Sequence, residues 1–133
     1  MASGRFLEDL AEHIVVVNNA TAPAIRTVYV FTIPDAAGAV DYDIVVDAKF
    51  EITDVTVGKI GTGTGSTIQI KNGSTVVSDA IVAAVDKAVT RAGQIDRTTN
   101  NNVVPAAGTL RCTATRSTGS MACEVEVHGY VRA

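Results

Sequence analysis

TLRCTATRSTGSMACEVEVHGYVR, Thr109 to Arg132, is the stretch on which the fold turns. In its first part Leu110, Cys112 and Ala114 alternate with Arg111, Thr113 and Thr115. In its last part Cys123, Val125, Val127, Gly129 and Val131 alternate with Glu124, Glu126, His128, Tyr130 and Arg132. Successive side chains of an extended chain point to opposite faces, so a period of two marks strands with one buried and one wet face. Arg116 to Ser120 between them reads as a hairpin turn. A turn centred between Ser117 and Thr118 sets Cys112 opposite Cys123; one centred a residue later sets Cys112 opposite Val125. Both cysteines fall on the apolar face. The expectation is buried thiols, with a cross-strand disulfide open to the protein once it leaves a reducing compartment.

The same chemistry extends through the chain. Of 133 residues, 20 are Val, 10 Ile and 16 Thr, against 3 Leu. β-branched side chains lose rotamer freedom in helices and fit a pleated surface, so this ratio predicts an all-β domain. Further strands are expected at Ile14–Val17, Thr27–Ile33, Tyr42–Val46, Lys49–Ile60, Ser66–Lys71 and Thr75–Val77. The fourth of these slips in phase, with Phe50 and Ile52 on one parity and Val55 and Val57 on the other. One extra residue near Thr53-Asp54, a bulge, restores a single buried face. Asn72-Gly73 is a strong hairpin signal. Asp79 to Ala88 reads as a strand ending in a helical turn, and Gln94 to Gly108 as a polar loop. Ser3 is placed to cap a short helix with Phe6, Leu7 and Leu10 on one side, either packed on the domain or reaching out as an arm. The architecture expected is an antiparallel β-sandwich, jelly-roll-like, with a short helical or extended N-terminal arm. Residues 1–20 form the arm and first strand, and residues 21–133 a single domain.

Composition bears on function by exclusion. The net charge is −3, and 7 Arg and 4 Lys are scattered singly, so the basic stripe of a nucleic-acid binder is missing. There is no Trp, and aromatics total 5%, which leaves few stacking platforms. No apolar run approaches the roughly 18 residues of a membrane span. Met1 to Leu10 lacks the apolar core of an export signal, so synthesis in the cytosol is expected, and the sequons at Asn19 and Asn72 read as chance matches.

Candidate chemistry is thin. Gly61, Gly63 and Gly65 precede a strand rather than a helix, and no Gly-Lys-Ser/Thr follows, so a phosphate loop is not expected. Asp41, Asp43 and Asp47 share a strand face, as do Glu124 and Glu126; a solvated face accounts for both sets better than paired catalytic acids or a calcium loop. His13 and His128 are isolated, and no serine lies in a GxSxG elbow. The expectation is no enzyme, no cofactor and no metal.

A longer pattern is present. FEITDVTVGK (Phe50 to Lys59), TIQIKNGSTVVSDAI (Thr67 to Ile81), DKAVTRAGQID (Asp86 to Asp96), AAGTLRCTATRS (Ala106 to Ser117) and ACEVEVHGYVR (Ala122 to Arg132) together resemble the jelly-roll decoration, or cement, proteins of tailed-bacteriophage heads. The likeness covers about two-thirds of the chain and leaves the first 49 residues outside it. It implies a homotrimer on the outer surface of the virion that staples neighbouring major-capsid subunits, made in the host cytoplasm and without contact to nucleic acid or membrane. Arg5, Phe6, Leu7 and Leu10 are the expected capsid or protomer contacts. The alternative is a carbohydrate- or receptor-binding sandwich of a tail or fibre, for which Tyr130 alone lies on a clearly polar face.

Overall fold

The two alternating stretches become strands β10 (Thr109–Thr115) and β11 (Cys123–Arg132), but they do not pair with each other. The computed structural model describes residues 14–16, 23–59, 65–83 and 89–132. Within these, the remaining strands are β1 (Ile14–Val16), β2 (Pro23–Ile33), β3 (Ala39–Val45), β4 (Lys49–Lys59), β5 (Ser66–Asn72), β6 (Thr75–Val76), β7 (Ile81–Ala83), β8 (Val89–Arg91) and β9 (Val103–Val104). The expected N-terminal helix, with Arg5, Phe6, Leu7 and Leu10, lies outside the described residues.

Sheet A runs β1-β2-β11-β4-β8, with β9 also on β4; sheet B runs β3-β10-β5-β6, with β7 also on β5. Every pairing is antiparallel. The pairs nest: β2 with β11, β3 with β10, β4 with β8 and β9, β5 with β6 and β7. One long hairpin is thereby wound over two sheets, which is jelly-roll connectivity. The fold is the all-β antiparallel sandwich that the β-branched composition demands.

The hairpin expected at Arg116–Ser120 is therefore corrected. Alternation fixes which side chains face the core but not which sheet holds the strand, and β10 and β11 approach one core from opposite sides. The connection between them is fastened instead to the β2–β3 connection. Arg116 N donates to Gly38 O at 2.9 Å, and Met121 N to Asp35 Oδ1 at 3.0 Å.

The core is the meeting of the two inner faces. Phe50, Ile52, Val55, Val57, Val125 and Val127 come from sheet A, and Ile68, Ile70, Leu110, Cys112 and Ala114 from sheet B. The phase slip in β4 is a real bulge. His128 pairs with Asp54 and Gly129 with Ile52, so Thr53 is the extra residue. All four apolar residues around it, Phe50, Ile52, Val55 and Val57, are then fully buried. Asn102 stitches the ladder beyond the bulge: Ile52 N donates to its carbonyl at 2.8 Å, and its Nδ2 donates to Ile52 O at 2.9 Å.

Several boundaries differ from expectation. β2 starts at Pro23, four residues early, because β1 pairs with its first three residues; the proline is the first residue of the strand, one beyond the last β11 partner at Ala24, so the β2–β11 ladder needs no amide from it. The polar 94–108 stretch holds the short strand β9 and a 3₁₀ turn at Thr98–Asn100, and β8 precedes it; these strands are too short for periodicity to register. The Asn72-Gly73 signal produces a hairpin whose two-residue loop is Gly73-Ser74. Gly73 sits at φ +59° in the first central position, as a type II′ turn requires. Asn72 is freed for other work and donates to Asn101 O at 3.1 Å and Val103 O at 2.8 Å. Only Ile81–Ala83 of the Asp79–Ala88 stretch is a described strand; 84–88 lie outside the described residues.

Cys112 and Cys123 are both buried, lie in different sheets and form no disulfide. Cys112 faces Tyr42 and Ile70 across its ladders, so the cross-strand disulfide geometry does not arise. Burial, with Cys123 and then Asp41 nearby, pushes the Cys112 thiol up to about 12. The unfolded chain ionises first as pH rises, so this thiol's contribution to stability is whole below about pH 8.5 and is lost progressively between there and about 12. A disulfide-exchange reagent such as Ellman's should label neither thiol in the native protein at pH 8 and both in urea. Rapid native labelling would show that the core admits solvent at the cysteines.

Candidate functional site

On the outer face of sheet A, polar side chains stand in rows set by register. Val28, His128 and Asp54 form one row; Val30, Glu126, Thr56 and Arg91 form the next. Each of these positions faces outward because its neighbours along the strand, such as Val55, Val57, Val125 and Val127, are in the core. Thr56 Oγ1 donates to Glu126 Oε1 at 3.3 Å and lies 3.3 Å from His128 Nε2, which is itself 3.8 Å from Glu126 Oε1. Arg91 Nε meets Asp54 Oδ2 at 2.8 Å, while Asp54 Oδ1 accepts from Val55 N at 2.9 Å.

The bulge opens this face. With Thr53 as an extra residue, β4 bends, and a recess of about 260 Å³ forms between the bulge and strands β2, β8 and β11. Arg26, Asp54, Arg91, His128 and Tyr130 line it. Thr53 Oγ1 closes its floor by donating to His128 O at 3.2 Å. Gly129 lies at the bottom, and on its core side a Cβ would meet Glu51 O and come within 2.8 Å of the Phe50 ring.

The acids singled out in the sequence are elsewhere or already engaged. Asp43 and Asp41 stand on the outer face of sheet B. Asp43 takes a two-pronged contact from Arg111 at 2.8 and 3.1 Å, and Asp41 accepts from Thr113 Oγ1 at 2.6 Å. That hydrogen bond from Arg111 holds the Asp43 carboxyl below the usual carboxylate range. Asp47 is exposed. Glu124 is exposed on β11 beside Glu126. Asp96, in the loop after β8, is likewise lowered, by hydrogen bonds from Asn101 and then from the Thr98 amide. His128 partners Thr56 and not a serine. Ser66 and Ser78 are buried as structural acceptors, taking the amides of Ser117 at 3.2 Å and Ile70 at 2.9 Å. His13 and the glycines at 61 and 63 lie outside the described residues. Among the described residues no three His, Cys, Asp or Glu side chains gather as metal ligands, and no helix is long and apolar enough to cross a membrane.

Sequence alternation places Tyr130, His128 and Glu126 on a wet face but does not join them to Arg26, Asp54 and Arg91, which come from three other strands. The usable signal is the phase slip at Thr53-Asp54, since bulges concentrate where a side chain is re-aimed. Comparison of the chain with protein-family models and with curated proteins gives no match.

Proposed function

We propose that this protein is a decoration protein of a tailed-phage head. It acts as a homotrimer on the outer capsid surface and ties neighbouring major-capsid subunits together. The observation that carries the reading is the nested jelly-roll sandwich with its first strand laid on an exposed sheet edge. A wound sandwich is stiff, so holding several subunits through it costs little ordering entropy. Three copies on a threefold axis engage the shell together, and individually weak contacts sum to strong retention.

The position of β1 supports a role for the segment before it. β1 covers only Pro23 to Ile25 of β2, and beyond it Val28 and Val30 are 46% and 47% exposed. An apolar edge of this kind is a docking surface, and residues 2–12, with Phe6, Leu7 and Leu10, directly precede β1 in the chain. The acidic balance of the chain, net −3, suits a protein that stays outside the packaged DNA.

Two measurements test this. Light scattering on a sizing column should give three times 13.8 kDa, and the protein should co-sediment with expanded heads of the phage that encodes it. Deleting residues 2–12 should abolish co-sedimentation and leave the far-UV circular dichroism unchanged. A monomer that fails to sediment with those heads would overturn the proposal; full binding by the truncated chain would overturn the role of the arm.

A further inference from the structure

The recess at the bulge has the wrong furnishing for an inert outer face. Arg26 and Tyr130 stand opposite one another in register, and both line the recess. Arg91 is held through Nε by Asp54, which orients the guanidinium and leaves its two terminal nitrogens for another partner. Its side chain is 71% exposed. His128 uses Nε2 toward Thr56, so Nδ1 remains. The lining thus offers two guanidinium groups against one carboxylate, and that carboxylate is satisfied twice over. Glu51 and Glu126 stand in the neighbouring rows, beside Tyr130 and His128, so the two guanidinium groups are the basic part of a mixed surface.

We propose that this recess binds an acidic sugar: one pyranose ring carrying a carboxylate. Arg26 and Arg91 take the carboxylate, because guanidinium forks match its two oxygens. Tyr130 supplies the flat ring against which the apolar face of a sugar packs, and His128 with the threonine hydroxyls meets the sugar hydroxyls. The volume of about 260 Å³ suits one such ring and little more. A phosphate site would draw on converging backbone amides, which this face spends on its ladder. Hydrolysis is not implied, since Asp54 is tied to Arg91 and Val55 and Glu126 to Thr56. The inference stands on the recess and does not require the shell reading; if that reading holds, many copies on one head turn a weak site into an avid one.

The test uses the purified 133-residue chain and saturation-transfer NMR with methyl β-D-glucuronide, the methyl glycoside of N-acetylneuraminic acid, methyl β-D-glucoside, sodium acetate and a hexaglutamate peptide. At least one acidic glycoside should bind with a Kd of about 1 mM, at least tenfold tighter than the neutral glycoside or acetate. Arg26→Ala and Arg91→Ala should each weaken it at least tenfold, and Arg111→Ala on sheet B should leave it unchanged. Deleting Thr53 makes the β4–β11 ladder regular with every buried residue still facing inward, so that variant should stay folded and lose binding. Equal binding of acetate would reduce the recess to a bare anion site. Tighter binding of the peptide would make it a protein-docking surface. No binding of either acidic glycoside at about 10 mM would remove it altogether. Any of these three results overturns the proposal and leaves shell binding untouched.

Discussion

Gly129→Ala should destabilise the protein by about 3 kcal/mol and lower its Tm by about 10 °C. Gly129 lies in the middle of β11, on the core side, opposite Ile52 where the register of β4 shifts. A methyl group there runs into the carbonyl oxygen of Glu51 and into Cε1 and Cζ of Phe50 at 2.8 Å. The carbonyl belongs to the neighbouring strand of the same sheet, so relief requires the ladder itself to part. Two further features limit adjustment: Asn102 clamps Ile52 from the far side, and Phe50 is fully buried. Gly58→Ala is the matched control. It is a strand glycine of sheet A whose added Cβ would find only Glu124 O, at 3.9 Å, and it should change stability by less than about 0.5 kcal/mol. Urea unfolding followed by circular dichroism compares the two. Indistinguishable midpoints would mean that β4 and β11 are not held as closely as the register places them.

Much of this architecture is legible in the chain because sandwiches write their faces into it with period two. The inward residues of β10 and β11 follow from alternation alone, and so does the bulge, because two parities within one apolar strand can share a buried face only if a residue is inserted between them. Sheet membership is not legible. Leu110–Cys112–Ala114 and Cys123–Val125–Val127 look the same whether they lie side by side or face each other across a core, and proximity in sequence favours the wrong answer. The strands that alternation misses, β8 and β9, have three and two residues and take their stability from neighbours on β4 rather than from any pattern of their own. The recess is invisible in the sequence for a related reason. Its lining comes from β2, β4, β8 and β11, and only register brings Arg26, Asp54, Arg91 and Tyr130 to one place. The acids that look most like chemistry, Asp41 and Asp43, are the wet face of sheet B, with Arg111 and Thr113 as their cross-strand partners.

Phe50→Ala should cost about 4 kcal/mol, the largest loss expected from any single truncation in this core, and lower Tm by about 13 °C. Phe50 is the bulkiest fully buried side chain, and its ring meets Tyr29 edge-on with centroids 4.8 Å apart. Tyr29 sits on β2 and Phe50 on β4, with β11 between them, so the aromatic pair spans three strands of sheet A over the side-chain-free position at Gly129. Removing the ring leaves a cavity bounded by backbone ladders that cannot collapse into it, which places the cost toward the upper part of the usual range. The two substitutions therefore probe one spot from opposite directions, one by overfilling and one by emptying. Their coupling separates two sources of strain. If the Glu51 carbonyl is the main obstacle at Gly129, Phe50→Leu should recover less than about 1 kcal/mol of the Gly129→Ala loss in a double-mutant cycle, because leucine removes the ring atoms and leaves the carbonyl in place. Recovery of most of the loss would instead locate the obstacle in the ring. Gly129 would then be required by the choice of phenylalanine at position 50 and not by the bulge that opens the outer face above it.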